Sequence, residues 1–466
     1  MLQYVESGGK SMKTLIKKLD IYRPLVEIFG LFYSDKQSVF LDSALNNELG
    51  RYSIVGLNPY MEMKEQSGIC LVNGVVQEQS LEVIMKQYLS ENKEENKTDL
   101  PLIAGAIGYF SYDYGRCFEK IKSQHPHQFD MPEAYFCFYD NYIIEDCYEK
   151  VLYITARGLT KKREVAIQDI SSAIRVMNQS TETVVKKQNE LAPFQANFTK
   201  KAYKEAIQTM IDYIVEGDIY IANMTQQLVV SSNKAPYKVF KYLREHNPAP
   251  FGSYLNYGDF QIVSASPERF LKVRKGVVET RPIKGTRKRG GTPLEDDALK
   301  EELRLSGKDR SELLMIVDLL RNDLSRVCEP NSVQVTDHFA VETYATVFHL
   351  VTTIVGKIAP DKGITELIRA TFPGGSITGA PKIRAMEIID ELEHGQRGLY
   401  TGSIGYLGLD GSSDLNIVIR TAVHQNGQYH IGVGGGITCE SETEFEYEET
   451  LQKAKAVLEA IYHGED

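Results

Sequence analysis

Two groups of carboxylates stand at helical spacing. In KDRSELLMIVDLLRNDL, Asp309 and Glu312 are three residues apart, ahead of Leu313, Ile316, Val317 and Leu320, which recur at helical spacing. The spacing predicts a helix with both acids on one face. In EFEYEETLQKAKAVLEAI, Glu446, Glu449 and Lys453 follow at i, i+3 and i+7 of a second helical pattern. Oxygen donors from two helices suit Mg²⁺, a hard cation that takes one or two carboxylates and keeps several waters. Acids in a first turn also answer the helix dipole, so spacing alone leaves a structural role open.

Three further segments carry chemistry of other kinds. The loop FPGGSITGAPKIRAMEII places Gly374, Gly375 and Gly379 before Pro381, a residue suited to the first helical position. Glycines and a helix N-terminus can receive a carboxylate; a plain turn explains them equally well. The loop is not a nucleotide P-loop, because Ala380-Pro381 stand where Gly-Lys-Ser/Thr is required. A second run, Gly434, Gly435 and Gly436, follows a strand-like segment shortly before Glu446 and would bring bare backbone near the acids, unless it is a bulge or tight turn.

In RPIKGTRKRG, Lys284 lies between Pro282-Ile283 and Gly285, with Arg281, Arg287, Lys288 and Arg289 close in sequence. Burial or neighbouring cations can turn a lysine amine into a nucleophile, although most lysines are simply solvated. His349 in TVFHLVTTI and Arg420 in LNIVIRTAV are single polar residues inside apolar runs. Burying an unpaired Arg is costly, so Arg420 is expected to meet an anion from the protein or from a ligand. His349 reads as a core residue or a catalyst.

The elements that must position these residues differ between the two halves. Short alternating runs predict strands at Ser38 to Leu41, Gly68 to Val76 with an Asn73-Gly74 turn, Gly105 to Tyr112, Ala134 to Ile144 and Lys150 to Thr155. From Met177 to Asn197 no period survives, which predicts a surface linker. A helix follows over Thr199 to Glu216, with Tyr203, Ile207, Met210, Ile211 and Ile214 on one face, Thr199 as N-cap and Gly217 closing it. Strands such as Phe260 to Ser264 then mix with helices without strict alternation, which predicts an α+β fold rich in antiparallel sheet. The domain reading is 1–176, a 177–197 linker and 198–466.

The whole-chain numbers exclude some partners. In 466 residues, 42% are apolar and 25% charged, and the formal net charge is −10. An acidic chain without a large basic cluster lacks the surface for nucleic acid or an anionic membrane. No apolar run is long enough to span a bilayer and no leader pattern opens the chain, so a cytoplasmic protein is expected. Six scattered cysteines without CxxC spacing predict free, buried thiols.

Taken together, GDIYIANMTQQL, SASPERF, RPIKGT, DRSELLMIVDLLRNDL, GGSITGAPKIRAMEIIDELE, YTGSIGYLG, IVIRTAV and EFEYEETLQKA resemble the chorismate-utilising enzymes. That family includes anthranilate, aminodeoxychorismate, isochorismate and salicylate synthases. DSALNNELGRYSIVG and GAIGYFSYDYGR extend a looser resemblance into the first half. It implies two intertwined α/β regions built on large antiparallel sheets flanked by helices, with the active site in the C-terminal part. Glu312, Glu446 and Glu449, with Asp309, would hold Mg²⁺ against the ring carboxylate of chorismate. Tyr400, Arg420 and the backbone of Gly434, Gly435 and Gly436 would hold the enolpyruvyl carboxylate. Ser376 and Thr378 would face the substrate, Lys453 would point at the same site, and His349 would donate a proton near the C4 hydroxyl. Ser43, Pro250 and Phe251 match a tryptophan pocket.

Within the family, Gln226 stands where isochorismate and salicylate synthases carry a water-activating lysine, which disfavours water as nucleophile. Lys284 stands where anthranilate synthases usually have alanine, and that lysine implies the aminodeoxychorismate branch, a transaminase-class transferase of folate precursor synthesis. The implied reaction joins Lys284 to C2 of chorismate and then admits ammonia at C4. No cysteine sits in a glutaminase setting, so ammonia would come from a glutamine amidotransferase subunit. Tyr400 resembles the anthranilate branch, and Gln227-Leu228 depart from the usual Arg-Phe after Gln226. The alternatives are anthranilate synthesis and a non-catalytic tryptophan-binding homologue.

Overall fold

A computed structural model describes residues 13–45, 49–119, 121–126, 130–177, 191–344 and 347–463. Its strands join into one hydrogen-bonded network in which every pairing is antiparallel, as the α+β expectation requires. Strands stand where the alternation predicted them in the first half, at Ser38–Asp42, Gly105–Phe110, Ala134–Asp146 and Val151–Ala156, but Leu15–Lys18 and the long strand Tyr52–Gln66 were missed. The Gly68 to Val76 segment with its Asn73-Gly74 turn is a hairpin, Ile69–Val72 against Val75–Val76, turned by Asn73 and Gly74 at positive φ.

Pairing crosses between the halves of the sequence. Ser38–Asp42 pairs with Phe251–Asn256, and Gly105–Phe110 with Ser403–Gly408. One apolar core accordingly holds Ile107, Tyr109 and Phe136 together with Leu313, Ile316 and Phe348. Burial of this kind is the main favourable term in folding.

Helices lie where apolar stripes and caps put them. Lys200–Glu216 starts at Thr199, whose hydroxyl accepts from the Ala202 amide at 3.2 Å, and ends at Gly217 with φ of 88°. Gly307–Ser325 buries Leu313, Ile316, Val317 and Leu320, and Thr443–Tyr462 buries Ala454, Val457, Leu458 and Ile461. No helix among the described residues is long and apolar enough to cross a membrane.

Several expectations change. Most of the 177–197 linker lies outside the described residues, but Gln195–Ala196 forms a short strand on Leu228 and Val229. Its side chains are exposed, so backbone pairing alone holds it and no periodicity marks it. All six cysteines are free, yet only Cys70, Cys137 and Cys328 are buried, while Cys117 and Cys439 are exposed. Pro381 is the N-cap and the helix begins at Lys382.

Candidate active site

The glycine run is neither bulge nor turn. Gly434, Gly435 and Gly436 lie within the strand Gln428–Ile437, opposite Thr225, Met224 and Asn223 of Ile221–Ser231. A Cβ on Gly435 would fall 2.7 Å from Glu449 Oε2, 3.1 Å from Glu446 Oε2 and 3.6 Å from Lys453 Nζ, and one on Gly436 would fall 3.1 Å from Lys284 Nζ. Glycine here keeps a strand flush against charged groups from two other elements, which any side chain would displace.

Those groups form one electrostatic cluster. Glu446 accepts from the Ser441 hydroxyl at 2.7 Å, and burial raises its proton affinity. Glu449 is paired with Lys453 at 2.7 Å; the Lys453 ammonium also donates to the Gly434 carbonyl at 3.0 Å, and burial lowers its pKa. Burial likewise raises Glu312, against the pull of Lys284 and Lys308 and with a push from Asp309 and Glu449. Asp309 is engaged elsewhere. Its carboxylate meets the Arg287 guanidinium at 3.2 Å and lies under Gly285.

No three acids among the described residues are gathered closely enough to enclose a metal. Two carboxylates do converge where Gly435 leaves room, with Glu312 feeling the field of Glu449. This donor set fits Mg²⁺, which takes few protein ligands and retains water.

Lys284 lies on the strand Ile283–Lys288, opposite Leu350, and the pairing slips at Gly285, whose φ is 72°. A buried carboxyl absent from the sequence expectations belongs to its surroundings. Glu268, in SASPERF, is 7% exposed. Burial pushes its pKa up to about 7, against the pull of the Ser376 hydroxyl, which donates to it at 2.8 Å, and of Lys284 and Lys453. A carboxyl poised near neutrality beside a lysine is suited to proton transfer.

His349 stands on Val347–Lys357 opposite Thr286, its Nδ1 at 2.9 Å from the Thr286 hydroxyl and its ring edge-on to Tyr344. Burial drives its pKa down to about 4, with Arg420 adding to the fall, so the ring is neutral at neutral pH. Arg420 is not inside a strand: it occupies an irregular residue at φ of 55° just before Thr421–Gln425. The one hydrogen bond of its guanidinium among the described residues goes to the Lys453 carbonyl at 3.3 Å, and burial lowers its pKa. A half-buried guanidinium with so little local compensation calls for an anion. Tyr400 packs its ring on Gly432, where a Cβ would fall 2.1 Å from Cγ.

Gln226, 1% exposed, donates to the Thr450 hydroxyl at 2.7 Å, and its Oε1 has no partner among the described residues. Thr378 is buried and closes its own loop by donating to the Gly374 carbonyl at 2.9 Å. Gly374, Gly375 and Gly379 pack on Ile417, Leu319 and the Ile221 carbonyl, so close packing requires glycine at these positions.

Ser43, Pro250 and Phe251 line a separate cavity of about 370 Å³, together with Asp42, Arg269 and Asn416. The Ser43 hydroxyl is spent on the Tyr52 and Pro250 carbonyls. Asp42, paired with Arg244 at 3.0 Å, is pushed up to about 6 by burial.

The family model for chorismate binding enzymes matches residues 37–459. Aminodeoxychorismate synthase component 1 of Bacillus subtilis (strain 168) is 37% identical over 94% of this chain and 94% of its own length. Anthranilate synthase component 1 of Acetivibrio thermocellus is 34% identical over 99% and 98%. The crystal structure of anthranilate synthase component I from Streptococcus pneumoniae TIGR4 superposes with a TM-score of 0.80 at 30% identity, covering 89% of this chain and 93% of that one.

Proposed function

The chain belongs to the chorismate binding enzymes, and from that premise we propose that it converts chorismate and ammonia to 4-amino-4-deoxychorismate through a covalent bond to Lys284. The observation that carries this reading is a lysine amine within reach of the Gly436 backbone, in the field of a carboxyl, Glu268, that titrates near neutrality.

An amine attacks only as the free base, so the proton it sheds needs an acceptor. Glu268 takes that proton. The Lys284 nitrogen then bonds to C2 as the ring double bond shifts, and the C4 hydroxyl departs as water by taking up the proton that the new C2–nitrogen bond sheds. The neutral imidazole of His349 assists that departure by hydrogen bonding, since an imidazolium is disfavoured there. Ammonia next bonds to C4, the C2–nitrogen bond breaks, and Lys284 is returned. The sum is chorismate plus ammonia giving aminated product plus water.

Arg420, with Tyr400 and the backbone of Gly434, Gly435 and Gly436, holds the enolpyruvyl carboxylate, which supplies the anion that the half-buried guanidinium lacks. Ser376 keeps Glu268 aimed, and Lys453 steadies Glu449. Glu446 and Glu449 would hold Mg²⁺, with Glu312 reaching it through retained water, and the bound ion would offset the ring carboxylate charge. Asp309 stays with Arg287 and outside that set. The Glu446→Gln and Glu449→Gln proteins are each expected to need at least about tenfold more Mg²⁺ for half-maximal rate, measured by metal titration.

The ammonia comes from a glutamine amidotransferase subunit, a reading supported by relatives named as a component 1. A second reading, anthranilate synthesis, is favoured by the relative that is 34% identical over 99% of the chain. Product analysis separates the two. Chorismate, Mg²⁺ and ammonium salt with the isolated chain are expected to give 4-amino-4-deoxychorismate; anthranilate with released pyruvate would install the second reading. A protein that binds tryptophan in the Ser43 cavity and makes neither product would be a non-catalytic homologue.

A further inference from the structure

The strand Ile221–Ser231 carries Gln226, and one of its edges is secured along its whole length by Gln428–Ile437. The other edge is paired only at its ends. Gly379–Ala380 covers Ile221 and Ala222, and Gln195–Ala196 covers Leu228 and Val229. Between them the backbone has no strand to bond, and unmet buried amides and carbonyls are costly.

An ion pair occupies that gap. Arg397 and Glu393, 2% and 3% exposed, meet through Arg397 Nη2 and Nε at 2.7 and 2.9 Å from the Glu393 carboxylate. Glu393 accepts from the Thr225 amide at 2.9 Å, and Arg397 Nη2 donates to the Asn223 carbonyl. The Asn223 amide donates to the Thr378 carbonyl at 2.8 Å. Side chains thus continue, one rung at a time, a ladder that the backbone abandons after Gly379.

The same guanidinium reaches two other segments. Its Nη1 donates to the Ile377 carbonyl at 2.8 Å, between Ser376 and Thr378, and lies 3.4 Å from the Thr401 hydroxyl, next to Tyr400. The Tyr112 ring covers it, 4.5 Å from ring centre to Cζ. Only a planar fork with several donors can serve these directions together.

We infer that Arg397 is a positioning residue: through the Ile377 and Asn223 carbonyls and the Thr401 hydroxyl, it fixes the segments carrying Ser376, Gln226 and Tyr400 relative to one another. It touches none of the charged cluster and acts through those backbones. The inference rests on the chorismate reading above.

The test compares Arg397→Lys with Arg116→Lys. Arg116 is a second buried arginine, 8% exposed, paired with Asp113 and Asp390, that donates to none of the three segments. Chorismate binding with Mg²⁺ is read by calorimetry beside thermal melting of each protein. Lysine keeps the charge against Glu393 and Tyr112 but cannot span the carbonyls, so Arg397→Lys is expected to weaken chorismate binding by about tenfold or more. Arg116→Lys should lose similar thermal stability and bind within about twofold of wild type. Unchanged binding by Arg397→Lys, or an equal loss in Arg116→Lys, overturns the inference.

Should Arg397→Lys fail to fold, Glu393→Gln supplies the reading. It retains an acceptor for the Thr225 amide but removes the charge that orients Arg397, and it should weaken binding in the same direction; wild-type binding overturns the proposal. A wild-type protein that binds no chorismate overturns the substrate reading, and the inference with it.

Discussion

Replacing Lys284 with alanine is expected to lower the rate of chorismate amination by at least about 10³-fold, because the reaction then lacks its nucleophile and not merely a binding contact. Intact-mass analysis of the wild-type protein with chorismate, in the absence of ammonia, should find a species heavier by chorismate less one water. The variant should lack it. The fold gives little reason for a stability loss, since residue 284 keeps its backbone pairing with Leu350 and its side chain packs toward a glycine.

Alanine also removes a cation whose field favours the ionised forms of Glu268 and Glu312. Part of a rate loss could therefore come from altered carboxylates. Lys284→Arg separates the two effects: it retains positive charge but offers a guanidinium that stays protonated in proteins. An arginine variant as inactive as the alanine one places the loss in the nucleophile. Substantial turnover by either variant, or an adduct of unchanged yield, removes Lys284 from that role.

How far these positions were legible in the sequence depends on where their partners lie. The helix Gly307–Ser325 announces itself through Leu313, Ile316, Val317 and Leu320, because a helical stripe is written in adjacent turns. The antiparallel strands of the first half are legible for the same reason: alternation and turn residues are local. Which strand lies beside which is not local. Ser38–Asp42 finds its neighbour at Phe251–Asn256, and nothing in either segment names the other.

Arg420 illustrates what local neighbours leave unsaid. Apolar residues flank it on both sides, yet the residue takes a left-handed conformation, and the strand starts only at Thr421. Asp309 reads as a metal ligand from its spacing to Glu312, but its partner Arg287 arrives on another element. Glu268 was missed altogether. It is one acid beside an arginine in SASPERF, without a periodic companion. Its raised proton affinity is created by burial, against the pull of Ser376 and Lys284, and that burial is made by elements distant in sequence. The signal that could have found it was already present: a charged residue inside a run of small and apolar ones, the reasoning applied to Arg420.

Glu268 supports the second large prediction, because activity and stability should move in opposite directions. Glu268→Gln keeps the size and a hydrogen-bonding amide next to Ser376 but cannot take a proton, and it is expected to reduce kcat by about 10²- to 10⁴-fold, the usual contribution of a positioned base. In the wild type, kcat/KM should fall as pH drops through about 7, where Glu268 becomes protonated. The few turnovers left to the glutamine protein should lack that limb.

Stability follows from linkage. The folded carboxyl binds its proton up to about pH 7, whereas the unfolded one releases it near 4.5. Between those values the folded state holds more protons than the unfolded state, so wild-type stability declines as pH rises through this window. The full penalty is in place above about pH 7, and it amounts to roughly 3 kcal/mol from the shift between 4.5 and about 7. The glutamine side chain carries no such charge. Denaturant unfolding of the two proteins should therefore coincide near pH 4.5 and separate in favour of Glu268→Gln by pH 8. A glutamine variant that loses activity without gaining relative stability across that interval would mean that Glu268 is ionised and compensated in the folded protein, and the proton acceptor for Lys284 would have to be sought elsewhere in the cluster.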